Sequence, residues 1–149
     1  ALLDPAPAAL ILTGYSHLAT AVTLEACASG LCAADKPDAL GHRPAPASAE
    51  TLATRADLPR LVTLLDSAGI PATISQDAGQ YLCNFSYRQA LALVAERRLP
   101  TQVVFVHLPA ITGTALAGSA AGSMPLAALA RAVALIVASL SGEPYSPPV

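Results

Sequence analysis

Two side chains in this sequence have the types and spacing for nucleophilic chemistry. Cys83 stands at the head of a predicted helix, in Ala78-Gly79-Gln80-Tyr81-Leu82-Cys83-Asn84. His107 follows 24 residues later and closes the apolar run Val103-Val104-Phe105-Val106. A thiol attacks only as thiolate, and a helix N-terminus is one of the environments that lowers its pKa. An imidazole at a neighbouring strand end completes a Cys-His pair. Glu25 lies in the apolar segment Val22 to Cys32. A carboxylate there needs a partner, which fits orienting an imidazole, with capping of a strand end in solvent as the alternative.

The other thiols and imidazoles give weaker signals. Cys27 and Cys32 lie five apart in an apolar segment and read as buried, inert thiols. His17 and His42 sit in loop-like, solvated contexts. Together with Cys32 they match no common zinc spacing, so neither a metal nor a cofactor is expected. Free thiols, and a start without a basic region followed by a long apolar core, predict a reducing, cytoplasmic setting.

These residues need a scaffold. A chain of 149 residues suits a single domain spanning 1–149 with a real core. A net charge of -2 leaves no basic footprint for nucleic acid. With 54% apolar and 12% charged residues the surface is sparsely charged, and association into a homo-oligomer is expected. Leu99 to Ala130 carries no formal charge and could supply the contact surface. Pro109, Gly113, Gly118, Gly122 and Pro125 interrupt it, so it is not read as a membrane span.

Ala8 to Thr13, ending at Gly14, predicts a buried strand. Val22 to Cys32 is a second extended candidate, although its alanines suit a helix too. Asp35 to Glu50, with Pro37, Pro44 and Pro46, is a loop. Asp57 can cap a helix, Pro59 suits its first turn, and Leu58, Leu61, Val62, Leu65 and Ala68 share one face up to Gly69. Ile70 to Ser75 predicts a strand. Leu82 to Arg97 predicts a helix with Phe85, Leu93 and Val94 inward. Gln102 to Val106 is the next strand. Ser123 to Leu140 is the last helix, with Leu126, Leu129, Val133, Ile136, Val137 and Leu140 at helical spacing. Pro144, Pro147 and Pro148 mark a frayed tail. The alternation predicts a three-layer α/β/α fold with a mixed, mainly parallel sheet, whose ligands collect at the carboxyl ends of strands.

At these residues the chain resembles the pyroglutamyl peptidase I family of cysteine peptidases. Ser75-Gln76-Asp77-Ala78-Gly79-Gln80-Tyr81-Leu82-Cys83-Asn84 fits the family's nucleophile segment S-x-x-A-G-x-[FY]-[VL]-C-N. Phe105-Val106-His107-Leu108-Pro109 resembles its F-[IL]-H-[VL]-P. Val22-Thr23-Leu24-Glu25-Ala26-Cys27-Ala28 aligns with its I-T-x-E-R-V-A without the arginine. Without a gap, Pro37-Asp38 and Gly41 through Pro44 fall on P-D-N-x-G-x-x-P, and Ser123-Met124-Pro125-Leu126 resembles the family's carboxyl end.

The resemblance implies Cys83 as nucleophile, His107 as general base, Glu25 as the group orienting the imidazole, and backbone N–H groups at the helix start for the oxyanion. It also implies that Tyr81, Tyr15, Leu82 and Gly14 contact substrate, an N-terminal pyroglutamyl peptide, with Tyr81 at the family's aromatic position near the lactam. Two departures stand out. Gly14-Tyr15-Ser16-His17-Leu18-Ala19 replaces the family's G-[LQ]-A-G-G-R. The family's N-terminal strand and its G-F-E-P-F-G-like loop, whose rings hold the lactam, have no counterpart in these 149 residues: they are lost, sit on another chain, or belong to a part not included. These departures leave open a catalytically silent or divergent homologue acting as a subunit or binding module.

Overall fold

The structure is a computed structural model that describes residues 5–31, 33, 36, 37, 39–43 and 50–144. Cys32, much of the expected Asp35 to Glu50 loop, and Pro147 and Pro148 of the expected tail lie outside the described residues. In chain order the elements are β1 (Ala9–Tyr15), β2 (Val22–Glu25), β3 (Cys27–Ala28), β4 (Leu52–Ala53), α1 (Leu58–Ser67), β5 (Ala72–Ser75), α2 (Leu82–Glu96), β6 (Gln102–Leu108), β7 (Ala110–Ile111), β8 (Ser123–Met124) and α3 (Leu126–Ser141).

The main sheet has the order β1-β6-β2-β5. β1 runs parallel to β6 and β2 parallel to β5, while β2 is antiparallel to β6. The sheet is therefore mixed and mainly parallel. Val22, Leu24, Val104 and Val106 pack on one face with Leu58, Leu61 and Leu65 of α1 and Leu129, Ala132 and Ile136 of α3. Val103 and Phe105 pack on the other face with Tyr87, Ala90, Leu91 and Val94 of α2. The three layers are those expected. β6 is covered on both sides, which is why its sequence reads as an unbroken apolar run.

Local signals set α1 closely. Asp57 Oδ1 accepts a hydrogen bond from the Arg60 amide at 3.1 Å, and Pro59 falls in the first turn, where its missing N–H costs nothing. Gly69, at φ +74°, takes the left-handed conformation that follows the helix.

Four expectations need correction. The extended segment from Val22 is two short strands, because β3 leaves the main sheet to pair with β4. The last helix begins at Leu126 rather than Ser123, since Ser123 and Met124 pair with Ala110 and Ile111 as β8 and β7. Leu126 and Val137 are exposed, and α3 buries Ala132 and Leu135 beside the expected Leu129 and Ile136. Phe85 is 39% exposed, and at that turn α2 turns Asn84 inward. Asn84 bonds the backbone of Ser29 through both its oxygen and its nitrogen, and its nitrogen also donates to the Leu31 carbonyl. Those hydrogen bonds make a polar residue the one worth burying.

Candidate active site

The register of the sheet decides which side chains meet. On β6, Phe105 and His107 point to the α2 face. On β2, Glu25 stands opposite Phe105, and Thr23 opposite His107. Glu25 and His107 are thus diagonal neighbours across an antiparallel pair, within reach of long side chains. Glu25 Oε1 lies 2.7 Å from His107 Nδ1. The carboxylate is 1% exposed. His107 lies inside β6, one residue short of its end, rather than just after the strand.

Cys83 reaches the same place from the helix layer. Gly14 is the register partner of His107 on the parallel strand β1. A Cβ built on Gly14 would fall 2.9 Å from Cys83 Sγ and 3.0 Å from the Phe105 ring. The sulfur therefore crowds the space a side chain at position 14 would take, on the strand next to the one that carries the imidazole. The hydrogen bond of the imidazole runs to Glu25, not to the thiol. Glu25, Cys83 and His107 line one groove of about 410 Å³, together with Thr23, Ser75, Asp77, Tyr81, Ser16, Leu18 and Lys36.

The thiol pKa departs from expectation. Burial pushes the Cys83 thiol up, a backbone N–H at the helix start pulls it down, and the Glu25 charge adds to the rise. The helix terminus acts in the expected direction but is outweighed by desolvation, so Cys83 rests as thiol at neutral pH. Cys27 is half-buried rather than buried, and its Sγ donates to the Gln76 carbonyl at 3.2 Å.

The remaining predicted residues are dispersed. Tyr81 lines the groove, donates its hydroxyl to the Pro37 carbonyl at 3.0 Å and carries the Lys36 ammonium 5.7 Å above its ring. Gly14 lies behind Cys83. Leu82 is exposed on the first turn of α2 and does not line the groove. Tyr15 borders a different, apolar cavity of about 370 Å³ between β1 and α3, lined also by Leu108, Ile111, Leu116, Leu126 and Leu129. Among the described residues no cluster of three or more His, Cys, Asp or Glu side chains could hold a metal. No described helix is long and apolar enough to cross a membrane.

Sequence reasoning assigned no role to Tyr87. It is wholly buried, and its hydroxyl donates to the backbone carbonyl of Glu25 at 2.8 Å. Its place seven residues before Val94, on the helical face expected to point inward, was the available signal.

The family model for pyroglutamyl peptidase matches residues 1–142. The pyrrolidone-carboxylate peptidase of Gloeobacter violaceus is 30% identical over 146 residues, covering 92% of this chain and 69% of that protein. That of Thermococcus litoralis is 33% identical over 141 residues, covering 88% and 64%. The chain thus spans about two thirds of the length of these relatives. The crystal structure of pyrrolidone carboxyl peptidase from Fervidobacterium islandicum superposes with a TM-score of 0.76 at 27% identity, over 89% of this chain and 68% of that one. Pyroglutamyl peptidase I from Bacillus amyloliquefaciens shares the fold at a TM-score of 0.81 and 24% identity, over 91% and 66%. A matched family model over nearly the whole chain, with a fold to match, makes this chain a member of the pyroglutamyl peptidase family.

Proposed function

We propose that this chain removes pyroglutamate from the N-terminus of peptides, with Cys83 as nucleophile, His107 as general base and Glu25 orienting the imidazole. The observation that carries the reading is the 2.7 Å contact of Glu25 Oε1 with His107 Nδ1, on the sheet face where the thiol also lies. A buried carboxylate on Nδ1 holds the proton there and leaves Nε2 free to act as base. Because the thiol rests protonated, Nε2 takes its proton as Sγ attacks the carbonyl carbon. The imidazolium then protonates the departing amine, and water hydrolyses the thioester to free pyroglutamate. No side chain caps α2. Its first-turn amides, left without intrahelical partners, support an oxyanion site beside Cys83.

A second reading, a silent subunit or binding module, draws on the Ser16 to Ala19 stretch that lines the groove with Ser16, Leu18 and Ala19. A fluorogenic pyroglutamyl amide separates the two. Turnover by the native chain that is lost in Cys83→Ser supports the peptidase. Turnover untouched by that substitution overturns the nucleophile, and no turnover from a folded chain favours the silent subunit. The apolar cavity with exposed Leu116 and Leu126 at its rim further supports association of copies, and light scattering that finds a monomer at micromolar concentration overturns that part.

A further inference from the structure

The Glu25 carboxylate is held by fewer partners than a buried charge requires. Oε1 meets His107, while Oε2 is buried and has no hydrogen-bond partner among the described residues. Among the described residues the Oε1–His107 contact is the one hydrogen bond that orients the carboxylate, so the placement of the backbone from which it projects also matters.

Tyr87 holds that backbone. Pairing of β2 with β6 ends at Glu25 opposite Phe105, and beyond it the chain turns away to form β3. The Glu25 carbonyl at this exit is buried, and the Tyr87 hydroxyl donates to it at 2.8 Å. The Tyr87 ring lies 5.7 Å from the Phe105 ring, tilted by 46°, and Phe105 in turn lies 4.9 Å from the imidazole of His107. One side chain of α2, a single turn from Cys83, therefore anchors the main chain of Glu25 and backs the ring that supports His107.

We propose that Tyr87 is a positioning residue for the Glu25–His107 pair: it acts on the carboxylate through the main-chain carbonyl and on the imidazole through Phe105. This rests on the reading of that pair as catalytic. The closing experiment therefore includes two readouts that need no turnover. Tyr87→Phe keeps the ring and deletes the donor. The downfield Nδ1–H proton resonance of His107 should shift or broaden away. Carboxymethylation of Cys83 by iodoacetate, followed on its own peptide, should slow about tenfold, the size of one lost hydrogen bond. Where the native chain turns over a pyroglutamyl amide, kcat should fall by a similar factor with KM within about twofold.

Leu65→Ala, on the opposite face, controls for lost stability and should leave the resonance and the alkylation rate unchanged. A native resonance and native alkylation in folded Tyr87→Phe overturn the proposal whatever the turnover. Absent turnover in the native chain overturns the functional reading alone. If Tyr87→Phe does not fold, 3-fluorotyrosine at position 87, nearly isosteric and a stronger donor, replaces it. A His107 resonance identical to the native one then overturns the proposal.

Discussion

The two faces of the sheet are built from alternate residues of the same strands, yet they differ in kind. Val104 and Val106 of β6 look toward α1 and α3, into a core made wholly of aliphatic side chains and one methionine. Val103, Phe105 and His107 look toward α2, where apolar packing surrounds Tyr87, Cys83 and Glu25. The first face gains free energy from every methylene removed from water. The second gives part of that up, because burying a carboxylate and a thiol costs desolvation. The upward push on the Cys83 thiol is a sign of that cost. The contrast sets aliphatic packing and the proposed chemistry on opposite faces of one sheet by a two-residue period.

Substitutions on the two faces should therefore fail in different ways. Glu25→Gln should reduce turnover of a pyroglutamyl amide by about 10³–10⁴, because an amide no longer holds the imidazole in one tautomer. Its melting temperature should stay near the native one, and a melting loss without a rate loss would erase the contrast. Leu65→Ala, wholly buried among the aliphatics, should cost about 2–5 kcal/mol in chemical unfolding and leave the rate of the folded fraction within about twofold. Gly14→Ala places a methyl group against Cys83 Sγ and Phe105. It should cost about 1–3 kcal/mol by overpacking and slow alkylation of Cys83, so that one substitution carries both signatures.

Alkaline pH should give the smallest and most diffuse effect. The Cys83 thiol, the Cys27 thiol and the Tyr87 phenol are all pushed up, chiefly by burial. Each therefore holds its proton more tightly folded than unfolded. Their contribution is complete below the ordinary thiol pKa of about 8.5 and is lost as pH rises beyond it. Unfolding midpoints measured from neutral pH upward should decline, and the decline should be shallower in Cys83→Ser. A midpoint that rises over that interval would contradict the burial of these groups.

Some elements were legible because a single local cause produces them. Asp57, Pro59 and Gly69 bound α1 through capping, a preset φ and a left-handed turn, none of which depends on distant residues. β6 was legible because burial on both faces demands an unbroken apolar run. α3 was placed but not oriented: it is apolar on nearly every side, so periodicity could not select Leu135 over Val137 as the buried one. α2 misled at Phe85 because hydrophobicity was the guide, whereas the buried positions Asn84 and Tyr87 are polar groups satisfied by backbone far away in sequence. At the candidate site, Cys83 and His107 stood out by type and by their segments, and Glu25 by a charge in an apolar stretch.

By itself the sequence determined the residue types, the chain order of the main-sheet strands and the three helices, and the membership that the motif around Cys83 announces, because these depend on neighbours along the chain. Only the tertiary structure decided that β2 runs antiparallel to β6. That direction sets Glu25 diagonal to His107 and in line with Phe105. The fold alone also seated the thiol over Gly14 and raised its pKa. Register and desolvation are properties of segments brought together from far apart, and no local stretch of sequence carries them.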